Sequence, residues 1–563
     1  MSKAQGARTG GQLLVDALKI HGVDMVFGVP GESYLGTLDA FYDARDAIKF
    51  VLCRQEGGAA SMADAYGKLT GRPGVCFVTR GPGATNASIG VHTAFQDSTP
   101  LVLFIGQVDR EYLEREAFQE IDFRRMYGQL AKWVAQIDRA DRVPEMVSHA
   151  FHLAVSGRPG PVVLALPEDM QTELATVPDA ARYQRVAAHP GAADMAKLRE
   201  MLAQAERPLM LVGGGAWSAQ ASADIQAFAV ANGLPVASTS RFQDVFDNRL
   251  PNYVGDCAVG MNPALMQRVR EADLLLVVGP RLGEWTTTHY TLVDVPRPKQ
   301  KFIHVHPGAE ELGRVYQGDL LINAGMPEFA AAARALAPVT PKWTQTTAAA
   351  RAELEAWQRP VKMPGELNMS EVMVWLNGRL PDDTILTCGA GSYVVALHRF
   401  YRYPGFRSYL GPSSGAMGYG VPSAVAAKLV HPQRPVVSIS GDGCFMMNGQ
   451  ELATAAQNDL KIIFIVVNNG IYGTIRLNQE QAFPGRVIAT QLRNPDFVTL
   501  ARAYDMHAEK VTSTAGFAAA FERAWNAKGA ALLELVVDPE GTVPHATLSE
   551  VRERAFKAGA GKH

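Results

Sequence analysis

Nowhere does the chain carry the run of roughly 18 apolar residues that a membrane-spanning helix needs. The opening MSKAQGARTGGQ also lacks the apolar core of a signal peptide. The sequence therefore reads as neither exported by that route nor membrane-spanning. An excess of one charge is missing too: 54 Lys and Arg stand against 56 Asp and Glu, which offers nothing to nucleic acid or an anionic membrane surface. Cysteine is sparse, and Cys53, Cys76, Cys257, Cys388 and Cys444 show no paired spacing. Reduced thiols in a cytoplasmic protein are the simplest reading. What remains, 47% hydrophobic and 20% charged over 563 residues, is an ordinary globular composition, too long for a single core and sized for about three domains.

What is present speaks most clearly between Gly441 and Gly473, GDGCFMMNGQELATAAQNDLKIIFIVVNNGIYG. An apolar run, Val436 to Ser440, breaks at Gly441-Asp442-Gly443. A helical segment follows, and a second apolar run, Ile462 to Val467, ends in Asn468-Asn469. That order predicts strand, turn, helix, strand. In a parallel sheet both strands end on one edge, so Asp442 and Asn469 come side by side with the glycine turn between them. A carboxylate and an amide oxygen, with a backbone carbonyl near Ile471, are hard ligands that octahedral Mg²⁺ takes together with phosphate oxygens and water. The glycines let the backbone approach a diphosphate, and the helix that follows supplies N–H donors. The plainer alternative is an ordinary strand-turn-helix that carries an Asp and an Asn by chance.

A GDG followed at this distance by a double Asn resembles the signature of thiamine diphosphate (ThDP) enzymes. The resemblance implies that Asp442, Asn469 and the carbonyl of Ile471 hold the Mg²⁺ that anchors the cofactor's diphosphate. It also places Gly441, Gly443, Cys444, Tyr472 and Gly473 around the cofactor.

From Gly10 to about Pro167, helical patterns alternate with short apolar runs. A second unit has strands at PLMLVGGG, LPVAST, DLLLVVG and KFIHVH, and a third contains the Gly441–Gly473 stretch. This rhythm predicts an α/β chain of doubly wound parallel-sheet domains. DAARYQRVAAHPG (179–191) and the four-proline segment 338–365 read as connections. By resemblance, 1–177 is a pyrimidine-binding domain, 192–337 a central domain and 366–544 a diphosphate-binding domain, with 545–563 as a C-terminal tail.

ThDP chemistry needs a carboxylate against the aminopyrimidine N1′, short of water. Glu56, in VLCRQEGGAASMADAYG, stands where an apolar strand passes into a small-residue helix. The alternative is an exposed Glu favoured by the helix dipole. RGPGATNA (80–87) follows, and the segment resembles the pyrimidine domain of acetolactate synthases, which makes Glu56 the expected activating carboxylate. Met417, in SSGAMGYGVPSA, is expected to wedge under the cofactor and bend it; ordinary core packing is the alternative. Because the two cofactor-binding units sit at different places in such chains, the resemblance implies a homodimer or homotetramer with sites shared between subunits.

The resemblance to acetolactate synthases rests further on AFQEIDF followed by AKW, on SGRPGPVVLALPEDM and on GAMGYGVPSA. Phe118, Gln119 and Lys132 match substrate-pocket or active-site positions there, and Gly31 a position near the cofactor. Several residues depart from the pattern. Gln55 replaces a His before the catalytic Glu, Gly31-Glu32 replaces a paired glycine, Asn478 replaces a tryptophan and Tyr472 a glutamine. A carboxylate at Glu32 either joins the acid/base chemistry, repels a 2-keto acid's carboxylate, or points away. The FAD motif of the central domain reads Gly255-Asp256-Cys257-Ala258 here, although Arg281 and the Val212-Gly213-Gly214-Gly215 turn remain. His304 and His306 share one face of a strand, but lacking a third ligand they read as structural.

The expected activity is a ThDP- and Mg²⁺-dependent decarboxylation of a small 2-keto acid with ligation to a second carbonyl compound. A non-ligating 2-keto acid decarboxylase and a 2-hydroxyacyl-CoA lyase are alternatives. So are an oxidase passing electrons to flavin and, from another class, a catalytically silent binding protein of the same fold.

Overall fold

Three six-stranded sheets, all parallel and covered by helices, carry the chain in the computed structural model, which describes residues 6–559. Helix cover explains why the central strands are apolar on both faces: Leu101–Gln107, Pro161–Pro167 and Leu274–Val278 are buried throughout. The chain divides into two compact units near Ala187. The first holds one six-stranded sheet and the second holds two.

In the first unit the strands run Lys49–Leu52, Met25–Gly28, Gly74–Val78, Leu101–Gln107, Pro161–Pro167, Trp133–Gln136 across the sheet. Counted along the chain, that is the order 2-1-3-4-6-5. The last sheet has the same order: Tyr409–Leu410, Ile385–Cys388, Val436–Gly441, Ile463–Asn468, Ala531–Val536, His507–Val511. The middle sheet differs. Its strands Tyr253–Cys257, Val236–Thr239, Pro208–Val212, Leu274–Val278, Lys301–His306 and Leu320–Asn323 take the order 3-2-1-4-5-6. In each sheet the direction of chain progress reverses beside the first strand, and there the loops at the carboxyl ends separate into a crevice.

Three features depart from the sequence reading. Tyr253–Cys257 and Leu320–Asn323 are strands where none was expected. The supposed connection 338–365 contains the helix Thr344–Trp357, seated by Trp343, Ala350 and Leu354, all buried. Trp343 also donates its indole N–H to the Gly233 carbonyl at 2.9 Å. The expected tail from residue 545 is corrected as well: Leu548–Lys557 is a helix with a Thr547/Glu550 capping box, held by Arg552 on Glu480. The last part of that tail, 560–563, lies outside the described residues. Among the described residues no helix is long and apolar enough to cross a membrane.

Candidate active site

Strands Val436–Gly441 and Ile463–Asn468 are parallel neighbours with Gly441 opposite Val467. One passes into the helix Asp442–Asn448 and the other, through Asn469–Tyr472, into the helix Gly473–Ala482. The register alone therefore brings Asp442 and Asn469 to adjoining strand ends. The Asp442 carboxylate is buried and accepts three N–H donors: Gly443 at 2.9 Å on Oδ1, then Gly470 at 2.9 Å and the Asn494 amide at 2.7 Å on Oδ2. Burial raises its pKa above the ordinary value, while those donors act against the rise. Asn469 accepts the Ile471 N–H at 3.2 Å. Gly470 supplies the bend between them at φ 68°, a left-handed conformation suited to glycine.

These ends open into one cavity of about 220 Å³. Met417, Gly441, Asp442, Gly443, Cys444, Asn469, Ile471, Tyr472 and Gly473 all line it, with Ala390, Gly391, Ser392 and Tyr393 from the loop after Ile385–Cys388. It sits at the crevice beside the first strand of its sheet. Tyr472 lies so close to Gly443 that a Cβ there would stand 2.6 Å from the ring. The Cys444 thiol is buried, accepts the Gly418 N–H at 3.2 Å, and has its pKa raised by burial. Asn478 is exposed on the helix Gly473–Ala482.

The donor set is one carboxylate, one amide oxygen and one backbone carbonyl. Among the described residues no group of three His, Cys, Asp or Glu could hold a metal by itself. A single carboxylate leaves half of a divalent cation's charge to be met by an anionic ligand, as when Mg²⁺ is shared with phosphate oxygens. The residues fit a metal–diphosphate pair better than a cage made by protein alone.

In the first unit, Glu56 begins the helix Glu56–Thr70, and Gln55 caps it by accepting the Gly58 N–H at 3.0 Å. Glu56 is half-buried; its Oε2 accepts the Asn86 amide at 2.9 Å. A Cβ on Gly83 would lie 3.0 Å from Thr79 and 3.4 Å from Glu56 Oε1, and one on Gly31 would stand 2.5 Å from Thr79. Gly31 and Glu56 thus share the carboxyl edge of one sheet through Thr79 and Gly83. Gln119 joins them by its backbone: at φ 64° its carbonyl accepts the Gly81 N–H at 3.0 Å. Phe118 is exposed over Arg80. Glu32 starts a short 3-10 helix with its side chain 64% exposed, 3.9 Å from an Arg80 that also pairs with Glu168.

The Lys132 ammonium donates to the carbonyls of Leu153 and Ser156, at the C-terminal end of the helix Val143–Val155. Asn494 is the residue that sequence reading missed; it reaches Asp442 across 52 positions from a loop with no motif of its own.

In the middle sheet the glycine turn is packed shut: a Cβ on Gly214 would stand 2.2 Å from the Gly279 carbonyl, and Trp217 donates to Gly213 at 2.8 Å. The two strand histidines are buried on backbone partners, His304 on Pro280 at 2.9 Å and His306 on Gly308 at 3.0 Å.

Residues 8–126, 195–333 and 389–535 match, in turn, family models described as the N-terminal TPP binding domain, the central domain and the C-terminal TPP binding domain of thiamine pyrophosphate enzymes. The three sheets are thus the three modules of a ThDP enzyme. The acetolactate synthase isozyme 2 large subunit of Escherichia coli is 32% identical over 560 residues, covering 97% of this chain and 99% of that protein. The acetolactate synthase large subunit of Corynebacterium glutamicum is 32% identical, covering 93% and 86%. The probable acetolactate synthase large subunit of Methanocaldococcus jannaschii is 30% identical, covering 95% and 93%. The chain belongs to the thiamine pyrophosphate enzymes, in the group of the acetolactate synthase large subunits, and ThDP is its cofactor.

Proposed function

We propose that the protein decarboxylates a small 2-keto acid and ligates the remaining acyl unit to a second carbonyl compound, using ThDP and Mg²⁺. When bound, ThDP supplies the electron sink that allows CO₂ to leave. The observation that carries this reading is the single cavity in which Asp442, Asn469 and Ile471 converge beside Met417 and the glycine turn.

In this proposal Asp442, Asn469 and the Ile471 carbonyl hold Mg²⁺. Gly441, Gly443, Cys444, Tyr472 and Gly473 enclose the diphosphate, with the N–H groups at the start of the ten-residue helix Gly473–Ala482 as donors. Met417, between the left-handed glycines Gly415 and Gly418, supports the middle of the cofactor. Glu56 holds a proton at the aminopyrimidine N1′, and Asn86 orients its carboxylate. Gly31 lets the cofactor approach, and Gln119 faces the substrate. The complete site is made between protomers of a homodimer or homotetramer.

A second reading concerns the acceptor. Glu32 presents an exposed carboxylate on the same sheet edge as Glu56, and its Arg80 is shared with Glu168. A negative charge there disfavours an acceptor that carries its own carboxylate, so an uncharged aldehyde is favoured over a second 2-keto acid. Purified protein supplied with ThDP, Mg²⁺ and pyruvate, with and without an aldehyde, separates the outcomes. A hydroxy ketone or acetolactate supports ligation. Acetaldehyde alone overturns it in favour of plain decarboxylation, and cleavage confined to 2-hydroxyacyl thioesters overturns it in favour of a lyase.

A further inference from the structure

The cation site proposed above rests on a carboxylate that is already largely occupied by protein. An ionised carboxylate offers about four lone-pair positions, two on each oxygen. On Asp442 Oδ2 both are used, by the Gly470 N–H at 2.9 Å and the Asn494 amide at 2.7 Å. On Oδ1 one is used, by the Gly443 N–H at 2.9 Å. Oδ1 is thus the less committed oxygen.

What fixes the Asn494 amide can be followed outward. Its two hydrogens go to Asp442 Oδ2 and to Asn468 Oδ1, the latter at 3.0 Å. Asn468 in turn cannot flip, because its own amide donates to Glu534 Oε1 at 2.7 Å, and a carboxylate only accepts. Glu534 is buried in the neighbouring strand and is met by Lys510 at 3.2 Å. Gly470 adds a second donor to Asn468 Oδ1 at 3.1 Å. The backbone at Asn494 is held as well. Pro495 follows it, and Asp496 caps the helix Phe497–Arg502.

We propose that Asn494 is a positioning residue which, set by Asn468 and Glu534, locks the Asp442 carboxylate so that Oδ1 alone faces the cation. Asn468, the first residue of the double Asn, then orients the site while Asn469 ligates. This inference rests on the cation site of the preceding section. Residues that orient a metal ligand change metal affinity by roughly 10- to 100-fold when removed.

The test is calorimetric titration of Mg²⁺ into full-length protein at saturating ThDP, for the wild type, Asn494→Ala and Asp442→Ala. Asn494→Ala is expected to weaken Mg²⁺ binding roughly 10- to 100-fold. At saturating Mg²⁺, kcat of Asn494→Ala returns to within a few-fold of wild type, which a general folding defect would not allow. Thermal unfolding without ligand should be close to wild type for Asn494→Ala, and the gain in Tm on adding Mg²⁺ and ThDP smaller. Should Asn494→Ala not fold, Asn494→Ser is titrated in its place. Mg²⁺ affinity within two-fold of wild type in the Asn494 variant, with Asp442→Ala unable to bind, overturns this inference alone. Wild-type affinity in Asp442→Ala overturns the cation site itself.

Discussion

The first and last sheets share the strand order 2-1-3-4-6-5 and spend the same edge in opposite ways. In the last sheet the working residues follow the third and fourth strands, where Asp442 and Asn469 stand with their donors around one cavity. In the first sheet the position after the third strand is taken by Thr79 and Arg80, and the acidic group follows the second strand, at Glu56. Met417 follows the second strand of the last sheet, the place that Glu56 occupies in the first. One topology thus yields a polar, donor-rich cradle in one module and a half-buried carboxylate with a single amide partner in the other. A cradle for diphosphate must meet a fixed charge with fixed donors.

The largest expected effect breaks the cradle. Asp442→Ala should weaken joint binding of ThDP and Mg²⁺ by more than about 100-fold in calorimetry, because among the described residues lining the cavity Asp442 alone is a carboxylate. Next in size, Glu56→Gln should leave that binding within a few-fold while lowering kcat by roughly 10²- to 10⁴-fold. An active Glu56→Gln enzyme would remove the role assigned to the first module's edge.

A third expectation concerns the support of the cradle under acid. Glu480, on the helix that begins at Gly473, accepts Arg476 at 3.0 Å and Arg552 at 2.6 and 2.8 Å. Led by the hydrogen bond from Arg552, these partners hold its pKa down to about 2. A carboxyl depressed on folding contributes stability above its unfolded value of about 4.5, and loses it as pH falls toward 2. Glu480→Gln should therefore be less stable than wild type at neutral pH and nearly equal to it near pH 2, read by urea unfolding. The smallest effect is expected at Asn86→Ala, a loss of a few-fold in kcat with cofactor affinity unchanged, since only the orientation of Glu56 is relaxed.

The two modules were also unequally legible in the sequence. GDG and the double Asn could be placed because the signal is local and a parallel register does the rest: adjoining strands of similar length bring their ends together. Asn494 could not, since nothing near Pro495 announces a contact made 52 residues away. The contacts of Lys132 at the end of the helix Val143–Val155 were not legible either, since resemblance reports position, whereas the partners of an ammonium depend on which helix end lies beside it. The helix Thr344–Trp357 was hidden by the prolines that flank it, although its seat is a buried face of Trp343, Ala350 and Leu354. Tyr253–Cys257 escaped notice because its pairing with Val236–Thr239 is irregular and its residues read as a broken cofactor motif.

The central claim is that Asp442, Asn469 and the Ile471 carbonyl share one cation with the ThDP diphosphate. A crystal grown with ThDP and Mn²⁺, examined for anomalous scattering, tests it most directly. The account predicts one manganese peak within coordination distance of Asp442 Oδ1, the Asn469 amide oxygen and the Ile471 carbonyl. A peak elsewhere, or ThDP bound with no metal at those three atoms, would contradict it.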